Sequence, residues 1–195
     1  MAEVEVKKHD GWAELVLNRP NRRNAINGPF GVLLAEHLHA LNLDGDIEAI
    51  LLRGADGCFC SGLDLKEFNA DPEPDWMSDF GQIWRKVHRR LYETEKPVIA
   101  VLERFAINGG AALALAADVL LVGKNSFLQV GEVQQGMAAP YNLAWLKLRY
   151  SEAIISQLTL VGRRFTGEEL LRMGVAYATP NDAEVLSSAR ALMKD

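Results

Sequence analysis

Apolar runs that favour β-strands alternate with amphipathic stretches along most of the chain, and this alternation most restricts its fold. Turn residues bound five such runs, which are predicted to be strands over residues 12–18, 48–54, 96–103, 118–123 and 126–130. Apolar residues at helical spacing fill stretches between them, over about 28–44, 79–94 and 110–117. Strand–helix–strand alternation favours an α/β fold of mainly parallel strands joined by right-handed crossovers.

Capping residues mark several predicted helix ends. Asn27 is a suitable N-cap for the first long helix, with Pro29 in its first turn. The last third of the chain is predicted to be helical, and its boundary signals are Ser151, the capping-box pair Thr166 and Glu169, the stop at Gly174, and the similarly spaced pair Asn181 and Glu184. We assign residues 1–180 to one core domain and residues 181–195 to the start of a C-terminal helical segment that is cut short.

Composition excludes several classes of function. The 195 residues are 49% hydrophobic and 24% charged, which suits one globular domain, and the net charge of −5 argues against a nucleic-acid partner. Cys58 and Cys60 are too close for a strain-free disulfide, and no further cysteine completes a metal site. The first 11 residues lack the apolar region of a signal peptide, and no apolar run has the length of a membrane span. We therefore expect a cytoplasmic protein without metal or membrane contact.

Three turn-rich loops each follow a predicted strand. They are NRPNRRNAIN (18–27), GADGCFCSGLDLKEF (54–68) and INGG (107–110), and the last runs directly into a helix. Parallel strands bring their carboxyl ends to one edge of a sheet, where α/β proteins bind ligands. We expect the three loops to meet there, although small residues in ordinary turns would give the same spacing.

The INGG turn has the features of a site for a negatively charged oxygen. Glycine has no Cβ, so the backbone can approach a ligand closely. The first amides of a helix have no intrahelical acceptor, and the helix dipole adds partial positive charge there. One amide from this turn and one from SGLD (61–64) can form a two-donor oxyanion hole.

These segments resemble the signature segments of the crotonase superfamily, also called the enoyl-CoA hydratase/isomerase superfamily. NRPNRRNAIN, FCSGLDLKEF and INGGAALALAAD occur in the family's order, and GEVQQGMAAPYN (131–142) is similar to its fourth segment. The resemblance runs from near residue 10 to near residue 180. It implies an α/β, crotonase-like spiral of ββα units, with mainly parallel sheets and helices outside.

The resemblance implies an acyl-CoA thioester as substrate, with coenzyme A as part of that substrate and no separate cofactor. The backbone N–H groups of Leu63 and Gly109 then correspond to the oxyanion hole. Positions that match the family's substrate and coenzyme A contacts are Ala25, Ser61, Leu65 and Gly110. Arg19, Arg22 and Arg23 are candidate phosphate contacts or solvated loop residues.

Side chains elsewhere receive structural interpretations. Asp64 corresponds to an acid that usually has a structural role in its loop. Tyr141 and Asn142 stand where the family often has small glycines, and packing at the pocket wall is expected of them. His37 and His88 are expected at ordinary positions on helix faces.

Two glutamates act in the hydratases of the family, and this chain matches one of them. The first position, three residues after the oxyanion-hole glycine, is Ala112, whereas the second is Glu132. A lone carboxylate adds water poorly, because one group must take a proton from water while another delivers one to carbon. It suffices for double-bond migration, so the resemblance implies a single-glutamate enoyl-CoA isomerase. An apolar pocket predicts a raised pKa for Glu132.

Two other functions stay open. One is an enoyl-CoA hydratase with an impaired or atypical second acid, in which Gln134, Gln135 or Tyr141 helps to position water. The other is a non-catalytic acyl-CoA-binding protein that has kept the fold. In each case the resemblance implies a homo-oligomer, a trimer or hexamer.

Overall fold

The computed structural model describes residues 2–194, and these residues form two sheets. The larger sheet has the strand order β1-β2-β3-β4-β6. Only β1 is antiparallel to its neighbour, and the remaining pairs are parallel. The strands are β1 (Val4–Lys8), β2 (Trp12–Leu17), β3 (Ala49–Gly54), β4 (Val98–Leu102) and β6 (Val119–Val122). The predicted, mainly parallel α/β fold is confirmed.

A smaller sheet has the order β5-β7-β8. Its strands are β5 (Phe105–Ile107), β7 (Phe127–Gln129) and β8 (Arg164–Thr166). β5 and β7 are parallel, and β8 is antiparallel to β7. Each has three residues, too few for β5 and β8 to show a periodic pattern in the sequence.

Eight α-helices lie in the described residues: α1 (Gly28–Leu43), α2 (Leu65–Phe68), α3 (Phe80–Glu93), α4 (Gly109–Leu115), α5 (Pro140–Arg149), α6 (Glu152–Val161), α7 (Gly167–Arg172) and α8 (Val185–Leu192). The β4-β5-α4 segment is one ββα unit. In the next unit, β6 and β7 lead through a 3₁₀ turn at Glu132–Gln135 into α5. No helix between residues 2 and 194 is long and apolar enough to cross a bilayer.

Most of the predicted helix ends are confirmed. The Asn27 side chain accepts a hydrogen bond from the Phe30 amide at 2.9 Å, and Thr166 and Glu169 form the predicted capping box. Ser151 occupies the N-cap of α6, but its side chain makes no capping bond. The pair Asn181 and Glu184 was expected to open the last helix. Instead, a turn occupies these residues, and α8 starts at Val185.

Both faces of the large sheet are buried, which explains the continuous apolar runs of its strands. Ile50 and Leu52 of β3 belong to the main core, together with residues of α1, α3 and α4. Leu51, which points to the opposite face, packs in a second cluster with Val185 and Ala189 of α8. Thus the segment predicted to begin a C-terminal helical part places its helix against the back of the sheet.

A buried glutamate ties α8 to this sheet. Glu14 of β2 is 0% exposed, and its carboxylate accepts from Arg53 Nε and Arg190 Nε, each at 2.7 Å. Burial acts to raise the pKa of Glu14, but hydrogen bonds and charge from Arg190 and Arg53 outweigh it and lower the pKa. Glu14 therefore forms a buried ion pair with Arg53 and a second ion pair with Arg190.

The start of α4 packs directly on the segment before α2. A Cβ added to Gly110 would lie 2.6 Å from the Cys60 carbonyl oxygen and 2.9 Å from its Sγ. Only glycine permits this approach. Gly81, which also lies in the first turn of its helix, has no atom within 4 Å of such a Cβ.

We expect Glu14→Gln to lower the free energy of unfolding by about 3–5 kcal/mol, because it leaves the Arg53 charge buried without its counter-charge. The matched control is Glu93→Gln, whose partner Arg89 is 74% exposed, and we expect this variant to unfold almost as the wild type does, because solvent screens an exposed pair. Denaturant unfolding measures both variants. Equal losses would contradict the role of the buried pair.

Gly110 and Gly81 give a second matched pair of variants. Gly110→Ala should destabilise the protein by about 1–3 kcal/mol, because the new methyl group forces the backbone of α4 away from Cys60. Gly81→Ala should instead stabilise it by about 0.5–1 kcal/mol, since alanine loses less conformational entropy in a helix. Thermal unfolding of both variants tests this. Two effects of the same sign would overturn the packing argument.

Candidate active site

Backbone pairing brings the three predicted loops together. The segment from Cys60 to Leu63 runs between the other two loops, with parallel bridges from Leu63 to Ile26 and from Cys60 to Ala106. The Ile26 amide donates to Gly62 O at 2.8 Å, and the Ile107 amide donates to Cys60 O at 3.1 Å. The convergence predicted from the positions of the loops after strands is confirmed.

A cavity of about 390 Å³ lies where these loops meet the 3₁₀ turn and α5. The residues that line it include Leu63, Gly109, Ala112, Glu132, Tyr141 and Asn142. A larger, open groove of about 1010 Å³ between α1 and α3 has a rim of exposed lysine and arginine side chains and contains none of the predicted site residues. The smaller cavity is therefore the candidate site.

Leu63 and Gly109, the two predicted oxyanion-hole residues, both line this cavity. Within residues 2–194, neither the Leu63 N–H nor the Gly109 N–H donates a hydrogen bond. The adjacent amides do: Asp64 N–H donates to Ile26 O and Asn108 N–H donates to Gln129 O, each at 2.8 Å. Since most backbone amides in folded proteins are paired, two spare donors on one cavity provide a place for a ligand oxygen.

Glu132 is half-buried at the start of the 3₁₀ turn that follows β7. Its Oε1 accepts from Asn142 Nδ2 at 2.9 Å, whereas Oε2 is shielded from solvent and has no partner. Burial raises the pKa of Glu132 above its ordinary value of 4.5, and hydrogen bonds from its own backbone and from Asn142 offset only part of this rise. The raised pKa predicted from an apolar pocket agrees with this environment.

Ala112 is completely buried and lines the same cavity. Its methyl group can neither donate nor accept a proton. Among the residues that line the cavity, Glu132 is the one carboxylate. No cluster of His, Cys, Asp and Glu in residues 2–194 has the arrangement of a metal site.

The other predicted substrate contacts divide into two groups. Ser61 and Leu65 line the cavity, and Leu65 is 62% exposed at its edge. Ala25 and Gly110 are buried and do not line it, and Arg23 is exposed on the surface. The contacts of all five with coenzyme A stay predictions.

Arg19 does not fit the phosphate contact considered for it. Its side chain is 8% exposed and is paired with Glu3 and Asp64, each at 3.2 Å, and with Glu67. These three carboxylates satisfy the guanidinium, which joins the N-terminus, the first loop and α2. Asp64 is buried in this network, and its predicted structural role is confirmed.

His88 is buried, so the ordinary helix-face position expected for it is wrong. Its ring stacks on Tyr141 at 4.3 Å, and Nδ1 accepts from Trp145 Nε1 at 2.9 Å. Burial lowers the pKa of His88 to about 3, which keeps the ring neutral. The histidine thereby supports Tyr141 at the cavity wall, a role set by contacts between α3 and α5 that periodicity does not reveal.

Asn108 and Asn142 form a hydrogen-bonded link that the sequence did not identify. Asn142 is 2% exposed and donates through Nδ2 to Glu132 Oε1 at 2.9 Å and to Asn108 O at 3.1 Å. Asn108 Oδ1 accepts from the Gly131 amide at 2.8 Å. The only signal in the sequence was the presence of Asn142 where the family often has a small glycine.

Comparison with known proteins places the chain in a family. A family model described as enoyl-CoA hydratase/isomerase matches residues 7–195. The carnitinyl-CoA dehydratase of Proteus mirabilis is 33% identical over 182 residues, covering 92% of this chain and 68% of that protein. The 1,2-epoxyphenylacetyl-CoA isomerase of Escherichia coli is 30% identical over 188 residues, covering 94% of this chain and 72% of that protein.

Solved structures support the same family assignment. An enoyl-CoA hydratase/carnithine racemase from Magnetospirillum magneticum matches with a TM-score of 0.89 at 26% identity, covering all of this chain and 74% of that one. The crotonase-like fold implied by the loop segments is therefore confirmed. By its sequence and its fold, this chain belongs to the enoyl-CoA hydratase/isomerase family.

Proposed function

We propose that the protein is an acyl-CoA thioester enzyme that moves a carbon–carbon double bond, with Glu132 as its single acid/base. The observation that carries this proposal is the composition of the cavity. Its lining includes Leu63 and Gly109, whose backbone amides have no acceptor among the described residues, and one carboxylate. The dehydratase and isomerase names of its relatives support chemistry on acyl-CoA thioesters.

The proposed reaction begins with a 3-enoyl-CoA whose thioester oxygen accepts from the Leu63 and Gly109 amides. The Glu132 carboxylate removes a proton from C2, and the electron pair of that C–H bond moves toward the thioester to give a dienolate. The protonated Glu132 then returns the proton to C4. The double bond now lies between C2 and C3, and the enzyme is regenerated with no other reactant.

The groups that line the cavity favour double-bond migration over hydration. Each oxyanion donor contributes on the order of 10²–10³-fold to the rate, and a positioned acid/base about 10²–10⁴-fold. Both contributions fit the groups at this cavity. Water addition needs a second group that transfers a proton, and the position facing the cavity from α4 is the methyl of Ala112.

The partner that follows from the proposal is an acyl-CoA thioester. Its adenosine and pantetheine parts would lie along Ser61 and Leu65, at the open edge of the cavity. The homo-oligomer and the cytoplasmic location stay predictions.

Glu132→Gln should reduce conversion of 3-enoyl-CoA to 2-enoyl-CoA by about 10²-fold or more, because the amide cannot accept the C2 proton. Acyl-CoA affinity should change little, since both amide donors remain. The control is Glu168→Gln, whose partner Lys124 is about half exposed. Turnover, and binding by calorimetry, are measured for the wild type and both variants with 3-enoyl-CoA and with 2-enoyl-CoA. Wild-type hydration of 2-enoyl-CoA without migration would favour the hydratase, and binding without turnover would favour the non-catalytic protein.

The pH dependence gives an independent test. Glu132 supplies the one carboxylate among the residues that line the cavity, and burial raises its pKa above 4.5. We therefore expect kcat/KM for isomerisation to fall as pH decreases through a midpoint above the ordinary glutamate value. A profile that stays flat down to the usual glutamate range would contradict a buried Glu132 base.

A further inference from the structure

We infer that Asn142 is a positioning residue that orients both halves of the proposed site, the Glu132 carboxylate and the peptide that carries the Gly109 amide. This inference rests on the proposed function and adds a residue to it. Asn142 lies on α5, is 2% exposed and contacts both partners through one nitrogen. The two contacts are 2.9 Å to Glu132 Oε1 and 3.1 Å to Asn108 O.

The chemistry of the two partners fixes which end of the Asn142 amide faces them. A carbonyl oxygen accepts hydrogen bonds only, and so does an ionised carboxylate. The flipped amide would direct Oδ1 at two acceptors and lose both bonds. The NH₂ group must therefore lie between Glu132 and Asn108, and each of its two hydrogens has one acceptor.

The contact with Asn108 acts on the oxyanion hole because of peptide geometry. Asn108 C=O and Gly109 N–H belong to one planar unit, and in a trans peptide they point in opposite directions. The Asn108 oxygen accepts from Asn142 Nδ2 and from the Ala112 N–H at 3.0 Å, and this pair of hydrogen bonds fixes the direction of the Gly109 N–H. It also polarises the peptide, which strengthens the N–H as a donor on the other side.

Asn108 has a backbone conformation that needs such support. Its φ is 51° and its ψ is −111°, a combination that residues other than glycine rarely adopt. Strain of this kind persists only where the surrounding contacts impose it. Four hydrogen bonds do so here: from Asn108 N to Gln129 O, from Gly131 N to Asn108 Oδ1, and from Asn142 Nδ2 and Ala112 N to Asn108 O.

The contact with Glu132 acts on the base. It holds Oε1 in place while Oε2 has no partner in the described residues. Because the donor is neutral, it orients the carboxylate and lowers its pKa only in part, so the net pKa stays raised. One side chain thereby connects the group that removes the proton to the group that receives the negative charge.

Nuclear magnetic resonance of the ligand-free protein tests this inference without reference to turnover. In the wild type we expect a scalar coupling across the hydrogen bond between Asn142 Nδ2 and the Asn108 carbonyl carbon. Asn142→Leu and the isosteric Asn142→Asp both remove the donor. In both, the Gly109 ¹⁵N resonance should shift, and the Glu132 pKa should rise, further in Asn142→Asp because of the added negative charge.

The matched control is Leu143→Ala, one residue along α5 and not among the residues lining the cavity. It should move neither the Gly109 resonance nor the Glu132 pKa. The inference is overturned if the wild-type coupling is absent, or if the Asn142 variants resemble this control. The wild-type coupling needs no variant, so it decides the matter even if a variant does not fold.

Activity separates this inference from the proposed function. If isomerisation occurs, Asn142→Leu should lower kcat/KM on the order of 10²-fold, since displacing a catalytic group by about 1 Å can cost that much, and its acid limb should move to higher pH. If the wild type shows no isomerisation but the resonance and pKa changes occur, the proposed function fails and the orienting role of Asn142 stands. If isomerisation occurs but neither the Gly109 resonance nor the Glu132 pKa changes in the variants, the proposed function stands and the orienting role of Asn142 fails.

Discussion

The pairing of the segment from Cys60 to Leu63 between two other loops is the interaction on which the candidate site depends. Within it, Cys60 N donates to Phe105 O and Ser61 N to Arg23 O, and the next residue donates from Asp64 N to Ile26 O. The Leu63 amide takes no part in this pairing. The close approach of Gly110 to Cys60 then places the first turn of α4, with the free Gly109 amide, on the same cavity.

Glu14 and Glu132 show how the surroundings set the role of one residue type. Burial acts to raise the pKa of both. Around Glu14, two arginines reverse the effect, so the carboxylate stays ionised and serves the packing of α8. Around Glu132 the hydrogen-bond donor is the neutral amide of Asn142, so the net pKa stays raised. A carboxylate that acts as a base toward carbon benefits from the raised pKa of the second environment, which the arginines abolish in the first.

Much of the fold follows from local patterns, because burial on both faces and capping residues leave signals along the chain. The run at 12–18 became β2, and Asn27 and Thr166 cap the helices that they were predicted to cap. β5 and β8 are too short for a pattern. The burial of His88 and the double contact of Asn142 arise from pairs 57 and 34 residues apart in sequence, so no local pattern could predict them. Cavity positions came from the family resemblance instead.

The choice of an asparagine between Glu132 and Asn108 has a physical reason. A lysine or arginine at this place would also orient the carboxylate, but its charge would lower the pKa of Glu132 and weaken it as a base toward carbon. An alanine or glycine would remove the side-chain donor to the carboxylate and leave the Asn108 oxygen with only the Ala112 N–H as donor. A primary amide supplies two hydrogens without a charge, and here each has its own acceptor. The proposed base is thus held by a neutral donor, which we infer also helps to orient the peptide that carries the Gly109 amide of the proposed oxyanion hole.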